Sequence, residues 1–93
     1  MKVEWLPAAL ADRDAIVAYL EGRNATAAIE LLQSLVLAGE SLSFFPHRGR
    51  PGRAPGTREL VAVRPYLLVY EVDAATDTVR ILRVWHGAQE RRS

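Results

Sequence analysis

Between Phe44 and Arg58 the chain places three prolines and three glycines within fifteen residues. Proline fixes φ and removes a backbone donor, and glycine tolerates conformations that other residues avoid, so no regular structure is expected across this run. It reads as a loop. Helical patterning precedes it and strand patterning follows it, so it divides the chain into two different halves. The loop also holds four arginines and His47 without an acidic residue. A rigid scaffold can aim such a segment, and two readings stay open for it: a phosphate- or acid-binding loop, or a solvated connector kept soluble by its arginines.

Ahead of the loop, Lys2-Val3-Glu4-Trp5 alternates polar and apolar residues as a short half-buried strand does, and Pro7 suits a first helical turn. From Ala8 to Leu20, the residues Ala9, Ile16, Tyr19 and Leu20 share one face at helical spacing, and Gly22 ends this helix. Arg13 lies near that face, with its stem expected to pack and its head to reach water. Asn24 is a good N-cap for a second helix running to near Ser43, whose apolar stripe is Ala28, Leu32, Leu35, Val36 and Leu42. Gly39 interrupts it, and Leu31 and Leu37 fall off the stripe, which calls for a second buried face or a partner surface. A connection of only Gly22, Arg23 and Asn24 makes the pair an antiparallel hairpin. Phe44-Phe45-Pro46 is expected to pack as an aromatic plug under the loop.

After the loop, Glu59–Val63, Tyr66–Val72 and Thr78–Trp85 read as strands, separated by Arg64-Pro65 and by the polar turn Asp73–Asp77. Short connections make them an antiparallel meander, and the apolar run of the middle one argues for burial on both sides. The N-terminal strand should join this sheet and the helical hairpin should cover one face. The expected fold is α+β: N-terminal strand, antiparallel helical hairpin, three-stranded antiparallel meander, in one domain over residues 1–93. The tail from Gly87 to Ser93 is too short and polar to form an element of its own.

Composition narrows the function classes. A hydrophobic content of 49% supports a real core in 93 residues, and the absence of cysteine excludes disulfides and thiolate metal sites. No run of about 18 apolar residues occurs, so a cytosolic, membrane-free protein is expected. Residues 1–46 carry three basic against six acidic residues, a net −3, whereas residues 47–93 carry nine arginines against five acidic residues, a net +4. Arginine's planar fork suits bidentate contact with phosphate or carboxylate, so an acidic partner would bind the C-terminal half. A net charge of only +1 is too small to hold nucleic acid by electrostatics alone.

No nucleotide-binding glycine fingerprint, P-loop or zinc spacing is present, so neither a cofactor nor a metal is expected. What remains is a constellation of arginines with a histidine. Arg58 starts the first meander strand, Arg80 and Arg83 lie on the last, and His86 follows its end. Arg80 and Arg83 differ by an odd number and should face opposite ways, so at most one joins any cluster. Arginines beside a histidine are the minimum for RNA cleavage, the first stabilising the charged transition state and the second moving a proton. The alternative is that His86 ends a strand and caps the fold through a hydrogen bond.

The order of these elements, with Pro7-Ala8-Ala9, Asp12, Ile16 and Tyr19-Leu20 in the first helix and Phe45-Pro46-x-x-Gly49-Arg50-Pro51-Gly52 in the loop, resembles the RelE/ParE toxin family of bacterial toxin-antitoxin modules. Gly56-Thr57-Arg58-Glu59-Leu60, Pro65-Tyr66-Leu67-Leu68-Val69-Tyr70 and Ile81-Leu82-Arg83-Val84-Trp85-His86-Gly87 extend the resemblance, which covers nearly the whole chain and is greatest to the ParE branch. It implies a toxin held inactive by a ParD-like or RelB-like antitoxin, whose C-terminal segment wraps the toxin while its N-terminal part binds operator DNA.

ParE-like members are associated with inhibition of DNA gyrase, and RelE-like members cut messenger RNA on the ribosome. Under the nuclease alternative Arg58, Arg83 and His86 would be catalytic. Under either, Arg50, Arg53, Arg58, Arg80 and Arg83 are candidates for contacting the antitoxin or the target. The RelE branch also uses lysines, whereas Lys2 is the only lysine here, and no tyrosine follows Tyr70. These departures favour gyrase inhibition over RNA cleavage. A third reading is a degenerate member that binds its antitoxin without toxicity.

Overall fold

The short connections do what their lengths demand. In the computed structural model, which describes residues 1–87, the elements follow in the order β1 (Lys2–Trp5), α1 (Pro7–Glu21), α2 (Ala25–Ser41), β2 (Arg50–Pro51), β3 (Arg58–Val63), β4 (Tyr66–Asp73) and β5 (Thr78–His86). Pro7 opens α1, and the Asn24 side chain caps α2 by accepting from the Ala27 N–H at 3.0 Å. The five strands form one mixed sheet in the order β1-β5-β4-β3-β2. β3, β4 and β5 make the expected antiparallel meander, and β1 joins its edge parallel to β5.

One face of the sheet carries the core. Ala9 of α1 and Leu31, Leu35, Ala38 and Leu42 from α2 and its end pack on Leu60, Leu68, Tyr70, Val79, Ile81 and Val84. Leu67 and Val69 are buried too, so β4 is covered on both sides as its unbroken apolar run requires. Gly39 sits where α2 approaches the sheet: a Cβ there would lie 2.7 Å from the Trp5 ring.

Several expectations change. The loop is not wholly irregular, since Arg50 and Pro51 pair with Glu59 and Arg58 at the sheet edge, the one place where a proline costs no ladder bond. Phe44 and Phe45 are no plug: they are 81% and 66% exposed, and the aromatic side chain that supports the loop from the core is Tyr70. Tyr19 is also exposed, lying under the Arg23 guanidinium. The buried stripe of α2 runs through Ala28, Leu31, Leu35 and Ala38 rather than through Leu32 and Val36, while Leu37 faces solvent. Arg13 places its guanidinium over the Trp5 ring, 4.8 Å from its centroid, rather than out in water. The expectation for the tail falls beyond Gly87 outside the described residues.

A bulge in β5 overturns the parity argument. Tyr70 pairs with Ile81 but Val69 pairs with Arg83, so Leu82 is the extra residue. Partners across a ladder share a face, and Glu71 pairs with Arg80. Arg80 and Arg83 therefore both belong to the face opposite the core. The strand also runs one residue further than expected, through His86.

Candidate basic surface at the loop

The loop is held from below by Tyr70. Its hydroxyl accepts from the Gly49 N–H at 2.9 Å and donates to the Pro46 carbonyl at 2.8 Å. Burial raises the Tyr70 phenol above its ordinary value, against the Gly49 N–H and the positive charges of Arg58 and Arg48. A Cβ at position 49 would stand 2.8 Å from both the Glu59 carbonyl oxygen and the Tyr70 hydroxyl, so only glycine fits. Arg58 adds a third tie, donating from Nη1 to the Gly49 carbonyl at 2.7 Å.

Most of the candidate arginines are engaged by the chain's own carboxylates. Glu59 is buried, and an unpartnered carboxylate there would cost several kcal/mol. It accepts from Arg50 Nη2 at 3.4 Å and from the Arg53 backbone N–H at 3.1 Å, with Arg53 Nε at 3.8 Å. The Arg53 guanidinium also lies 5.3 Å from the Trp85 ring centroid. Arg80 donates to Glu71 at 3.1 Å and to Asp73 at 2.9 Å, with Glu4 at 4.0 Å. The hydrogen bond from Arg80 holds the Asp73 carboxyl below the usual carboxylate range.

Arg83 is fixed by an element far away in sequence. β1 lies beside β5 only from Thr78 to Ile81, so the edge beyond it needs another partner. Asp12 of α1 supplies one, accepting from the Val84 N–H at 2.9 Å and from Arg83 Nε and Nη2 at 2.7 and 2.9 Å. Burial pushes the Asp12 carboxyl up, but the Arg83 and Val84 donors outweigh it and hold it below its ordinary value.

His86 lies elsewhere. It packs edge-on against Tyr66, with ring centroids 5.5 Å apart at 88°, beside an open cleft of about 540 Å³ that Ile16 and Tyr19 of α1 also line. Its Nδ1 is buried without a hydrogen-bond partner among the described residues, so it is not the hydrogen-bonded cap that the alternative called for.

The three residues of the nuclease alternative are not brought together. Arg58 pairs with Tyr70 and His86 with Tyr66, four residues apart on β4. That is roughly 13 Å of strand rise, and the two residues stand on opposite sides of β4. Arg83 belongs to the other face and is bound to Asp12. What the loop does present is His47, Arg48 and Arg58. Among the described residues neither Arg48 nor Arg58 pairs with a carboxylate; Arg48 donates to the Ser41 hydroxyl at 2.8 Å. The sequence marked His47 and Arg48 only as members of the basic loop, together with Arg50, Arg53 and Arg58, and held no signal that separates them from the arginines turned onto Glu59. Among the described residues no cluster of acidic, histidine or cysteine side chains could hold a metal ion, and no helix is long and apolar enough to cross a membrane.

Comparison with known proteins gives this geometry its context. Residues 3–91 match the family model described as the ParE toxin of type II toxin-antitoxin system, parDE. The chain is 40% identical over 88 residues to toxin RelE2 of Caulobacter vibrioides, covering 95% of this chain and 97% of that one. It is 37% identical over 90 residues to Y4kP of Sinorhizobium fredii, a protein named as a candidate toxin, covering 96% and 91%. Among solved structures, a chain of the chromosomal ParDE system of Pseudomonas aeruginosa superposes with a TM-score of 0.80 at 28% identity, over 92% of this chain and 95% of that one. The RelBE2 toxin-antitoxin complex of Mycobacterium tuberculosis contains a chain that superposes at 0.66 and 29% identity, over 91% and 95%.

Proposed function

The chain belongs to the ParE toxin family of type II toxin-antitoxin systems, and from that premise we propose that a cognate antitoxin holds it inactive and that, once released in the bacterial cytoplasm, it arrests growth by binding DNA gyrase. The solved relatives come from toxin-antitoxin systems, which supports the antitoxin as partner. The observation that carries the target reading is the dispersal of Arg58, Arg83 and His86. A phosphoryl-transfer site needs its charge-stabilising groups and its proton carrier within reach of one phosphate. Here Arg58 holds the Gly49 carbonyl, Arg83 holds Asp12, and His86 stands at the other end of β4.

A second reading, ribosome-dependent cleavage of messenger RNA, has one observation in its favour. His86 lines an open cleft with two tyrosines, and its buried Nδ1 has no hydrogen-bond partner among the described residues.

Inducing the chain alone in bacteria and following DNA synthesis and translation by labelled precursors within minutes separates the two. DNA synthesis stopping first, with the DNA-damage response induced, is the expected result. Translation stopping first, with cleaved messenger RNA, would overturn the gyrase reading.

A further inference from the structure

Three large apolar side chains are exposed in the last turns of α2 and just beyond it. Leu37, Phe44 and Phe45 are 65%, 81% and 66% exposed. Scattered exposed apolar residues need no explanation, but one that lines a hollow, as Phe45 does, marks a surface for a partner. Leu37 lies one helical turn before Ser41. Ser41, Phe45, Pro46, His47 and Arg48 line an open hollow of about 600 Å³. Beside it, His47, Thr57 and Arg58 contribute to a second, polar notch of about 260 Å³. His47 borders both, so the apolar hollow and the basic notch are contiguous.

No acidic residue occurs from Ser41 to Arg58, and among the described residues no carboxylate lines either depression. The contrast with Arg50, which is turned onto Glu59, and with Arg80, turned onto Glu71 and Asp73, is direct. The walls are also fixed in advance. Tyr70 and Arg58 tie the backbone from Pro46 to Gly49, so little ordering remains to be done on binding.

We propose that the hollow at Phe45 and the notch at His47 and Arg58 form one docking surface for an acidic amphipathic segment of the cognate antitoxin. This rests on the reading that an antitoxin holds the chain inactive. A bulky apolar side chain of that segment enters the hollow, and a nearby carboxylate meets His47 and the guanidinium donors of Arg58 that the Gly49 carbonyl does not use. Charge complementarity selects a peptide of this kind. A net charge of +1 is too small to hold nucleic acid by electrostatics alone, and a purely apolar segment would leave the Arg58 guanidinium unanswered.

The test uses the whole chain and the full-length antitoxin encoded beside its gene, with binding measured by calorimetry. Phe45→Ser and His47→Glu alter exposed side chains that hold nothing in the core, and thermal melts check that both variants stay folded. Ile29→Ser is the control: it is 60% exposed but twelve residues before Ser41, about 18 Å along the helix. The expected result is that each of the first two weakens binding at least ~10-fold while Ile29→Ser leaves it within about 2-fold. Affinity within about 2-fold of the parent for both Phe45→Ser and His47→Glu overturns the proposal, as does equal weakening by Ile29→Ser. A parent chain that self-associates, and that Phe45→Ser makes monomeric without changing antitoxin affinity, would assign the face to a second copy. Loss of growth arrest with antitoxin affinity kept would assign it to the target. A parent chain that does not bind the antitoxin at all brings down the underlying antitoxin reading instead, and this inference with it.

Discussion

Asp12 and Arg83, seventy-one residues apart in sequence, meet in a two-pronged ion pair with hydrogen bonds of 2.7 and 2.9 Å. The pair fastens α1 to β5 just beyond the point where β1 stops covering that strand. It also turns an arginine that suits phosphate binding into a structural group.

Replacing Asp12 by alanine should cost about 1–3 kcal/mol, because the Val84 N–H loses its acceptor and Arg83 its partner, the ion pair itself being partly screened by solvent. Urea denaturation of the variant against the parent measures it. The pH dependence has a definite sign. The folded-state pKa of Asp12 is lowered, so its contribution is present above the unfolded value of about 3.9 and fades as pH falls through the folded one. The stability gap between parent and Asp12→Asn should therefore hold steady near neutrality and narrow below about pH 4. A gap that does not change with pH would show that the carboxylate charge contributes nothing.

Tyr70→Phe removes one hydroxyl and leaves two backbone groups without it, the Gly49 N–H and the Pro46 carbonyl. A loss of about 2 kcal/mol is expected, with faster hydrogen exchange at the Gly49 amide. The raised phenol pKa adds a check at alkaline pH. Stability from the neutral phenol is present below the unfolded value of about 10 and is lost as pH rises through the folded one, a loss that Tyr70→Phe should abolish.

Two glycines of the loop should respond differently to alanine. Gly49→Ala drives a Cβ against the Glu59 carbonyl and the Tyr70 hydroxyl, neither of which can yield freely, and should cost about 3 kcal/mol or more. Gly56→Ala meets open space but adopts φ +81°, so only the backbone term of about 1–2 kcal/mol applies. Thermal melts of the two variants rank them, and the reverse order would contradict the geometry.

His86→Ala should leave growth arrest intact if the chain acts by binding gyrase, since the residue lies at the opposite end of β4 from Arg58. Colony counts after induction give the answer, provided the variant melts cooperatively. Loss of arrest in a folded variant would move the proton-transfer role of His86 to the front.

Hydrophobic periodicity and turn chemistry act over a few residues, and so the strand, the helical hairpin, the meander and the doubly buried middle strand were legible in order along the chain. Asn24 as a cap, Pro7 as a first turn and the apolar run Leu67–Tyr70 each carried their own local reason. The resemblance on those same residues also reached the family. The exposure of Phe44 and Phe45 was not legible, because the aromatic support under the loop comes from Tyr70, more than twenty residues further along the chain. Nor was the fate of the arginines. Whether Arg50 or Arg83 stays available to a partner depends on a carboxylate brought from another element, Glu59 across the sheet edge or Asp12 across the chain. The bulge at Leu82, a one-residue departure that moves Arg83 onto the face of Arg80, is likewise invisible in alternation alone. Charge pairing and ladder register are long-range properties, and only the tertiary structure decides them.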